Sequence, residues 1–331
     1  MTKFRTEVEV PEFKKKMGYR RQSLMIGSCF AENIGNYLHE RCLPIQLNPF
    51  GILYNPLSIA NCLKLVINRK IFQQDDLFNY KGIFHSFSHH SRFSGADPAL
   101  MLAQMNGEAA SAFQNLKDAS HLFITFGTSW VFKHKDSEEV ISNCHKLPAS
   151  VFNHSRLTTE QITTSWIPLI EQLKVINPLL HLVFTVSPIR HLKDGAHENQ
   201  LSKSTLLLAI DELLLKFGGD LISYFPSYEI VMDELRDYRF YATDMTHLSE
   251  LSVNFIQEKF ISAIMDQEAR TISTQTGKLL QSLNHKPFNP KEEGYLSFLK
   301  TALIRLQQLQ NTYPFVDFRN INEKFHEKII N

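Results

Sequence analysis

Ser28 and Cys29 are the first residues of this chain whose types and positions could do chemistry. An apolar run over residues 24–26 ends at Gly27, the two side chains follow, and a helical pattern begins at Ala31. A strand, a tight turn and a helix in that order leave unpaired backbone N–H groups at the helix N-terminus, where anions are stabilised. Either side chain could therefore be a nucleophile. Cys29 is favoured because a helix N-terminus lowers the pKa of a thiol. The alternatives are that Ser28 only caps the helix and that Cys29 is a small buried apolar residue.

Asp244 and His247 form the second chemical feature, far along the chain. A carboxylate three residues before a histidine can orient the imidazole through Nδ1 and leave Nε2 free to act as a base. The alternative is a capping aspartate followed by a surface histidine. Together with a nucleophile at residue 28 or 29, the pair predicts an enzyme that forms a covalent intermediate.

Apolar strands alternate with helical patterns along most of the chain, which predicts the elements that position these residues. Such alternation is typical of a mostly parallel sheet of about five strands covered on both faces, a three-layer α/β/α sandwich. Strands are predicted over residues 24–26, 122–126 and 182–186 and within 221–231, and helices over 31–41, 56–67, 97–116, 157–176 and 201–217. The predicted organisation is a lead-in over 1–20, a domain over 21–260 and a helical extension over 261–331.

Polar clusters follow three of the predicted strands, at residues 27–29, 127–130 and 187–191. Ligands of parallel sheets bind beyond the carboxyl ends of the strands. We therefore expect residues 27–29, Gly51, residues 127–129, Arg190 and residues 244–247 to converge on one cleft. Arg190 could bind a carboxylate, a phosphate or a sugar hydroxyl there, or it is a solvated loop residue.

Histidines and serines concentrate in a second region, which includes His85, His89 and His90. Adjacent histidines on an extended segment point to opposite sides, and no acidic or cysteine ligand stands at a zinc-like spacing, so no metal is predicted. A polar loop that contacts substrate through His89 is favoured. Asn143 and His145 are further candidates for substrate binding, or they are solvated loop residues.

Composition and charge exclude several classes of protein. The chain has 331 residues, of which 43% are hydrophobic and 21% are charged, and its formal net charge is +1. These are globular values without the basic field that nucleic-acid binding requires. No apolar run is long enough to span a bilayer. Four cysteines without a CxxC pair and a polar N-terminus predict a cytoplasmic protein. No glycine-rich phosphate loop is present, and no cofactor is predicted. The oligomeric state is left open.

Eight ordered strings in this sequence resemble the GSCFA family, which is grouped with the SGNH hydrolase-like proteins. The resemblance covers roughly residues 20–260. It implies a three-layer α/β/α fold and an activity on acyl esters, often of carbohydrates, as an esterase or acyltransferase. The strings are Gly27-Ser28-Cys29-Phe30-Ala31, the segment 48–56, His89-His90-Ser91, Gly127-Thr128-Ser129-Trp130, Asn143-Cys144-His145-Lys146, the segments 187–191 and 224–229, and the Asp244 to His247 segment.

The resemblance also implies roles for individual residues. In the Gly-Asp-Ser block of the SGNH proteins, Ser28 takes the place of the aspartate and Cys29 that of the serine. The glycine of the second block corresponds to Gly51, whose N–H would donate to an oxyanion. The third block, Gly-x-Asn-Asp, corresponds to residues 127–130, where Thr128 and Ser129 stand and the asparagine is missing. The final Asp-x-x-His block is intact at Asp244 and His247.

Three functions follow from these residues and the resemblance. The first is hydrolysis or transfer of an acyl group from a small or carbohydrate ester, with Cys29 or Ser28 attacking the carbonyl and His247 as the base. The N–H groups of Gly51 and of the nucleophile, with Ser129, would stabilise the oxyanion. The second is a non-catalytic module that binds a carbohydrate or metabolite, which the missing asparagine favours. The third, an acyl-CoA-dependent transferase, is disfavoured by the lack of a phosphate loop.

Overall fold

Five strands form a central sheet in which every neighbouring pair is parallel. A computed structural model describes residues 5–288 and 292–330 of the chain. The strands are β1 (Ser23–Gly27), β2 (Ile45–Leu47), β3 (Phe78–Tyr80), β4 (Ile83–His85), β5 (His121–Phe126), β6 (Trp130–His134), β7 (Val140–Ile141), β8 (Phe152–Arg156), β9 (His181–Val186) and β10 (Ile222–Tyr224). The central sheet has the order β10-β9-β5-β1-β2. Its predicted parallel character and its number of strands are confirmed.

Helices cover both faces of this sheet and produce the predicted three layers. They are α1 (Cys29–Glu40), α2 (Pro56–Ile67), α3 (Pro98–Asp118), α4 (Thr159–Ile176), α5 (Ala196–Phe217), α6 (Ser227–Glu229), α7 (Glu250–Ile264), α8 (Gln267–Asn284), α9 (Glu293–Thr312) and α10 (Arg319–Ile330). Side chains of a strand alternate between the faces, so Leu24 and Ile26 of β1 join the core under α2–α5. Met25 joins the second core, which α1 and α7–α10 cover.

The C-terminal helices build one of the two layers of helices. Phe260 of α7 packs against Phe123 of the central sheet, with ring centroids 5.3 Å apart. Helix α7 runs through residue 260, and Met17 of the lead-in pairs with Met265 just beyond this helix. The predicted domain boundaries at 20 and 260 stay predictions. In this fold, the segments on both sides of each boundary share one core.

Two features of the fold had no clear signal in the sequence. The strands β3–β4 and β7–β6–β8 form two small antiparallel sheets, and they are short and half-exposed without a continuous apolar run. Helix α5 begins at Ala196, five residues before its first large apolar residue, Leu201. Its first turn is polar, so the apolar pattern alone places the start too late.

Two buried histidines, His89 and His121, are expected to make the fold sensitive to acid. Burial is the main reason that the pKa of each is about 3, well below the ordinary value of 6.5. Between these pH values the unfolded chain binds protons that the folded chain does not bind, so the free energy of unfolding falls as the pH is lowered from about 6.5. One pKa unit corresponds to about 1.4 kcal/mol, so each histidine removes about 2 kcal/mol of stability at pH 5.

Urea unfolding at pH 7 and at pH 5 measures this effect. We expect His121→Gln to lose less stability between the two pH values than the wild type loses, because glutamine does not titrate. His326→Gln, at an exposed position of α10, is the matched control and should leave the pH dependence unchanged. An unaltered pH dependence in His121→Gln would show that His121 is not a source of acid sensitivity.

Candidate active site

The turn between β1 and α1 presents Ser28 and Cys29 at the carboxyl edge of the sheet. Gly27 ends β1 with a φ of +143°, and a Cβ there would lie 2.3 Å from the carbonyl oxygen of Thr125. Only glycine fits this position. Asn48 Oδ1 accepts a hydrogen bond from the Gly27 N–H at 2.9 Å, and the Gly27 carbonyl accepts one from Leu53 N–H at 3.0 Å. The loop after β2 therefore fixes the turn.

Ser28 and Cys29 differ in accessibility and in hydrogen bonding. Ser28 is 1% exposed, and its Oγ caps α1 by accepting a hydrogen bond from the Phe30 N–H at 3.3 Å. Cys29 is half-buried and is the first residue of the helix. Substrate can reach Cys29 more easily than Ser28, whose hydroxyl stabilises the helix end.

The environment of Cys29 raises the pKa of its thiol above the ordinary value, contrary to our expectation. Burial is the largest cause, and it outweighs the backbone N–H groups of Cys29 and Phe30, which lower the pKa. The negative charge of Glu32 raises the pKa, whereas the positive charge of Lys203 lowers it. The thiol is therefore the resting form at neutral pH, and its activation requires a base.

Asp244 and His247 form the hydrogen-bonded pair that their spacing predicts. Asp244 Oδ2 lies 2.6 Å from His247 Nδ1, and Oδ1 accepts the backbone N–H groups of Thr246 and His247. These hydrogen bonds lower the pKa of Asp244 to about 2, with the His247 side chain as the largest cause. Both side chains are about half exposed, at 52% and 57%. Nδ1 is engaged with the carboxylate, which leaves Nε2 to act on another group.

Three residues that we did not assign to the site connect Cys29 with His247. Tyr54 is close enough to Cys29 for a thiolate there to raise the tyrosine pKa. The Tyr54 ring packs edge-on against His191, with centroids 5.7 Å apart. The pKa of His191 is about 4, chiefly because of burial and also because of the positive charges of Lys203 and His247. His191 and Tyr54 are thus the residues through which Cys29 and His247 are linked, and no direct hydrogen bond between Cys29 and His247 occurs among the described residues.

Arg190 follows the carboxyl end of β9 by four residues. Its charge lowers the pKa values of Lys203, Tyr228 and Tyr241, which places the guanidinium among these side chains. The Arg190 Nε is buried, and no hydrogen-bond partner for it occurs among the described residues. Tyr241 pairs with Leu248 across the loop that carries the Asp–His pair. Arg190 therefore has a free donor beside that loop.

The groups expected to form the rest of the oxyanion hole are engaged elsewhere. The Gly51 N–H donates to the Asn48 carbonyl at 2.7 Å, inside a turn that needs the glycine's φ of +80°. Ser129 is fully buried, and its hydroxyl donates to Ser202 Oγ at 3.1 Å. Thr128 Oγ1 accepts the Trp130 N–H and also contacts the Ser202 hydroxyl. In this conformation Gly51, Thr128 and Ser129 shape the edge of the sheet rather than point donors at a substrate.

The predicted substrate loop forms a separate buried cluster. His89 stacks on Phe50, with centroids 4.3 Å apart, and its Nδ1 lies 3.0 Å from Ser86 Oγ. His145 Nε2 lies 2.8 Å from the Ser86 carbonyl oxygen, and Asn143 Oδ1 accepts the His145 N–H. His89 is fully buried, so a substrate cannot contact it without rearrangement of this loop.

Two cavities of the described structure lie away from these residues. Each has a volume of about 970 Å³ and is lined by none of the predicted site residues. The chemical groups, and not these two cavities, therefore identify the candidate site. Within residues 5–288 and 292–330, no group of three or more metal-binding side chains is arranged around a common point. Every helix in the same ranges is too short or too polar to cross a membrane.

Lys203 is the residue of this site that sequence reasoning missed most clearly. It is on α5, fully buried, and its Nζ donates to the carbonyls of Gly127 at 2.6 Å and Ser187 at 2.7 Å. A signal was present in the helical spacing. Asn199, Ser202 and Lys203 continue the buried stripe that Leu206 and the apolar residues after it form. A polar beginning to a buried helical stripe indicates a helix whose N-terminal end faces a polar site.

Two family models match this sequence. The model described as the GSCFA family matches residues 22–260, and the model described as the GSCFA domain protein, C-terminal domain, matches residues 276–331. No curated protein matches the chain.

Similar solved structures are esterases at low identity. One is an acetyl xylan esterase from Butyrivibrio proteoclasticus, 11% identical, with a TM-score of 0.36 over 74% of this chain and 63% of the esterase. A family two carbohydrate esterase from Clostridium thermocellum is 11% identical, with a TM-score of 0.38 over 74% of this chain and 64% of that one. A carbohydrate esterase family 3 protein from Talaromyces cellulolyticus is 7% identical, with a TM-score of 0.36 over 77% of this chain and 99% of its own. The chain spans less than two thirds of the first two esterases.

Proposed function

This chain belongs to the GSCFA family, and we propose that it is an acyl-ester hydrolase or acyltransferase with Cys29 as nucleophile and His247 as base. The observation that carries the proposal is the 2.6 Å contact between Asp244 Oδ2 and His247 Nδ1, which orients an imidazole as a catalytic base requires. The proposed substrate is a small ester or an acylated carbohydrate, the class on which SGNH hydrolase-like proteins act.

In the first step His247 Nε2 accepts the proton of the Cys29 thiol. Burial raises the thiol pKa, so this transfer accompanies the attack of sulfur on the ester carbonyl carbon and does not precede it. The carbon–sulfur bond forms and the carbonyl electrons move to oxygen. The intermediate then collapses, the alcohol leaves with the proton from His247, and a thioester remains on Cys29. Water or a second alcohol cleaves the thioester by the same steps in reverse.

The N-terminus of α1 is the proposed place for the oxyanion. The first N–H groups of a helix have no carbonyl partner within the helix, and the helix dipole adds a partial positive charge there. The Cys29 N–H is the donor that remains from the expected set, since Gly51 and Ser129 are engaged with Asn48 and Ser202. Arg190, with its free Nε, would bind a polar group of the substrate.

Trapping the thioester tests this proposal directly. After a short reaction with p-nitrophenyl acetate and an acid quench, we expect one acetyl group on the peptide that contains Cys29, detected by mass spectrometry. In the His247→Ala variant this acetylation should be slower, because the thiol lacks its base. Cys42→Ser is the matched control, since Cys42 is half-buried outside the site, and it should be acetylated as the wild type is. Equal acetylation of several cysteines, with or without His247, would contradict the proposal.

A second candidate function is a non-catalytic module that binds a carbohydrate or metabolite. The engagement of Gly51 and Ser129 favours it, because two of the donors expected to form the oxyanion hole are bonded to other groups of the protein. This function predicts saturable binding of sugars or small esters in calorimetry without release of alcohol. Binding lost in Arg190→Ala, together with no acylation of Cys29, would support the module over the enzyme.

A further inference from the structure

Lys203 is a buried amine, and no carboxylate among the described residues forms an ion pair with it. It is 1% exposed, and its Nζ donates to the carbonyl oxygens of Gly127 and Ser187. The charged groups that act on it are the Cys29 thiolate and the Arg190 guanidinium. Removing an ammonium group from water costs several kcal/mol of free energy, and hydrogen bonds to two carbonyls offset only part of it. Such a group is retained more readily where an anion forms beside it.

The two carbonyls place the ammonium at the edge where the chemistry is proposed. Gly127 directly follows β5 and Ser187 directly follows β9, and these strands are neighbours in the central sheet. Lys203 therefore ties two strand ends together. The Gly127 N–H donates to the Tyr54 carbonyl, and the neighbouring Leu53 N–H donates to the Gly27 carbonyl, so hydrogen bonds join this lysine to the turn that carries Cys29. Its aliphatic chain is held inside the fold, so the position of the charge does not vary as it would on a surface lysine.

We propose that Lys203 is a positioning residue of the candidate site, whose fixed ammonium group stabilises the Cys29 thiolate and so sets how readily Cys29 becomes a nucleophile. The inference rests on the proposed role of Cys29, but its test needs no substrate. Burial and the charge of Glu32 disfavour the Cys29 thiolate. The helix N–H groups and the charge of Lys203 favour it. Tyr54 is the other titratable neighbour of the thiol.

Lys203 and Cys29 each change the pKa of the other. Burial lowers the pKa of Lys203 to about 7, and a thiolate at Cys29 raises it again, whereas Arg190 lowers it further. The ammonium also lies 5.7 Å from the centre of the Tyr228 ring. Because each charge favours the other, Lys203 and Cys29 titrate as a coupled pair. The state in which both groups are charged is therefore more populated than it would be if the two groups did not interact.

Alkylation of Cys29 by iodoacetamide measures the thiolate directly. The rate at each cysteine is followed between pH 6 and pH 10 by peptide mass spectrometry, with Cys144 as the internal reference. Lys203→Gln keeps donors for the two carbonyls without the charge, and Lys203→Met keeps the apolar length without the donors. We expect both to shift the Cys29 profile to higher pH, so that alkylation of Cys29 relative to Cys144 is slower than in the wild type at each pH below the plateau. Lys203→Arg should stay close to the wild type.

Lys259→Gln is the matched control. Lys259 is also largely buried, and it donates to the Val8 carbonyl and to Glu234 on the other core. This variant should lose stability without a shift of the Cys29 profile. An unshifted Cys29 profile in folded Lys203→Gln, checked by circular dichroism, would overturn the inference. The alkylation result is independent of ester turnover. If the Lys203 variants shift the Cys29 profile as expected but the wild type hydrolyses no ester, only the proposed function is contradicted.

A second measurement covers the case in which the neutral variants do not fold. The ammonium group of Lys203 can be followed by nitrogen NMR in the wild type and in Cys29→Ser, which keeps the buried lysine intact. We expect a larger protonated fraction of Lys203 at pH 8 to 9 in the wild type, because serine forms no anion there. Equal protonated fractions in the two proteins would overturn the inference.

Discussion

Replacement of Cys29 by alanine is expected to reduce the hydrolysis of p-nitrophenyl acetate by about 10³-fold or more, as loss of a catalytic nucleophile does. Cys29→Ser should retain weak activity, because the side chain keeps its place at the N-terminus of α1 but is a poorer nucleophile. Initial rates over a range of substrate concentrations, on variants with unchanged circular dichroism spectra, provide the measurement.

Ser28→Ala is the matched control for this prediction, one residue away. Ser28 is buried and caps α1, so its loss should cost about 0.5–2 kcal/mol of stability while most of the activity persists. The opposite result, an inactive Ser28→Ala beside an active Cys29→Ala, would transfer the role of nucleophile to Ser28. Wild-type activity in every variant would support the binding module instead.

Replacement of His247 by alanine should lower kcat by a factor similar to that for Cys29→Ala. The thiol is protonated at rest because burial raises its pKa, so without a base the attack has no acceptor for the proton. The double variant Cys29→Ala/His247→Ala should be no slower than either single variant, since residues that act as a unit show strongly non-additive effects. Steady-state kinetics on the four proteins measure this.

Two further variants separate a catalytic role of His247 from a structural one. Asp244→Asn keeps the size of the side chain that holds His247 Nδ1 and should give a loss of kcat with little change in KM. His326→Ala, on exposed α10, should have wild-type kinetics. If the effects of Cys29→Ala and His247→Ala multiply in the double variant, the two residues act independently and the shared mechanism is wrong.

The sequence by itself determined the architecture and the edge of the sheet at which chemistry is proposed. Apolar runs such as residues 122–126 and 182–186 are local signals, and they form adjacent parallel strands β5 and β9 as predicted. The carboxyl ends of parallel strands share one edge, so the clusters that follow β1, β5 and β9 had to gather there. The hydrogen bond between Asp244 and His247 could likewise be predicted from their spacing, because both residues belong to one short loop.

Only the tertiary structure decided which polar groups are free, buried or charged at that edge. Gly51, Ser129 and His89 looked available in the sequence, but their donors and rings are engaged by Asn48, by Ser202 on α5 and by Phe50. The direction of the Cys29 pKa and the burial of Lys203 also depend on which elements pack together. Desolvation and hydrogen bonding are set by neighbours that are distant along the chain, and the spacing of residues within one segment contains no information about them.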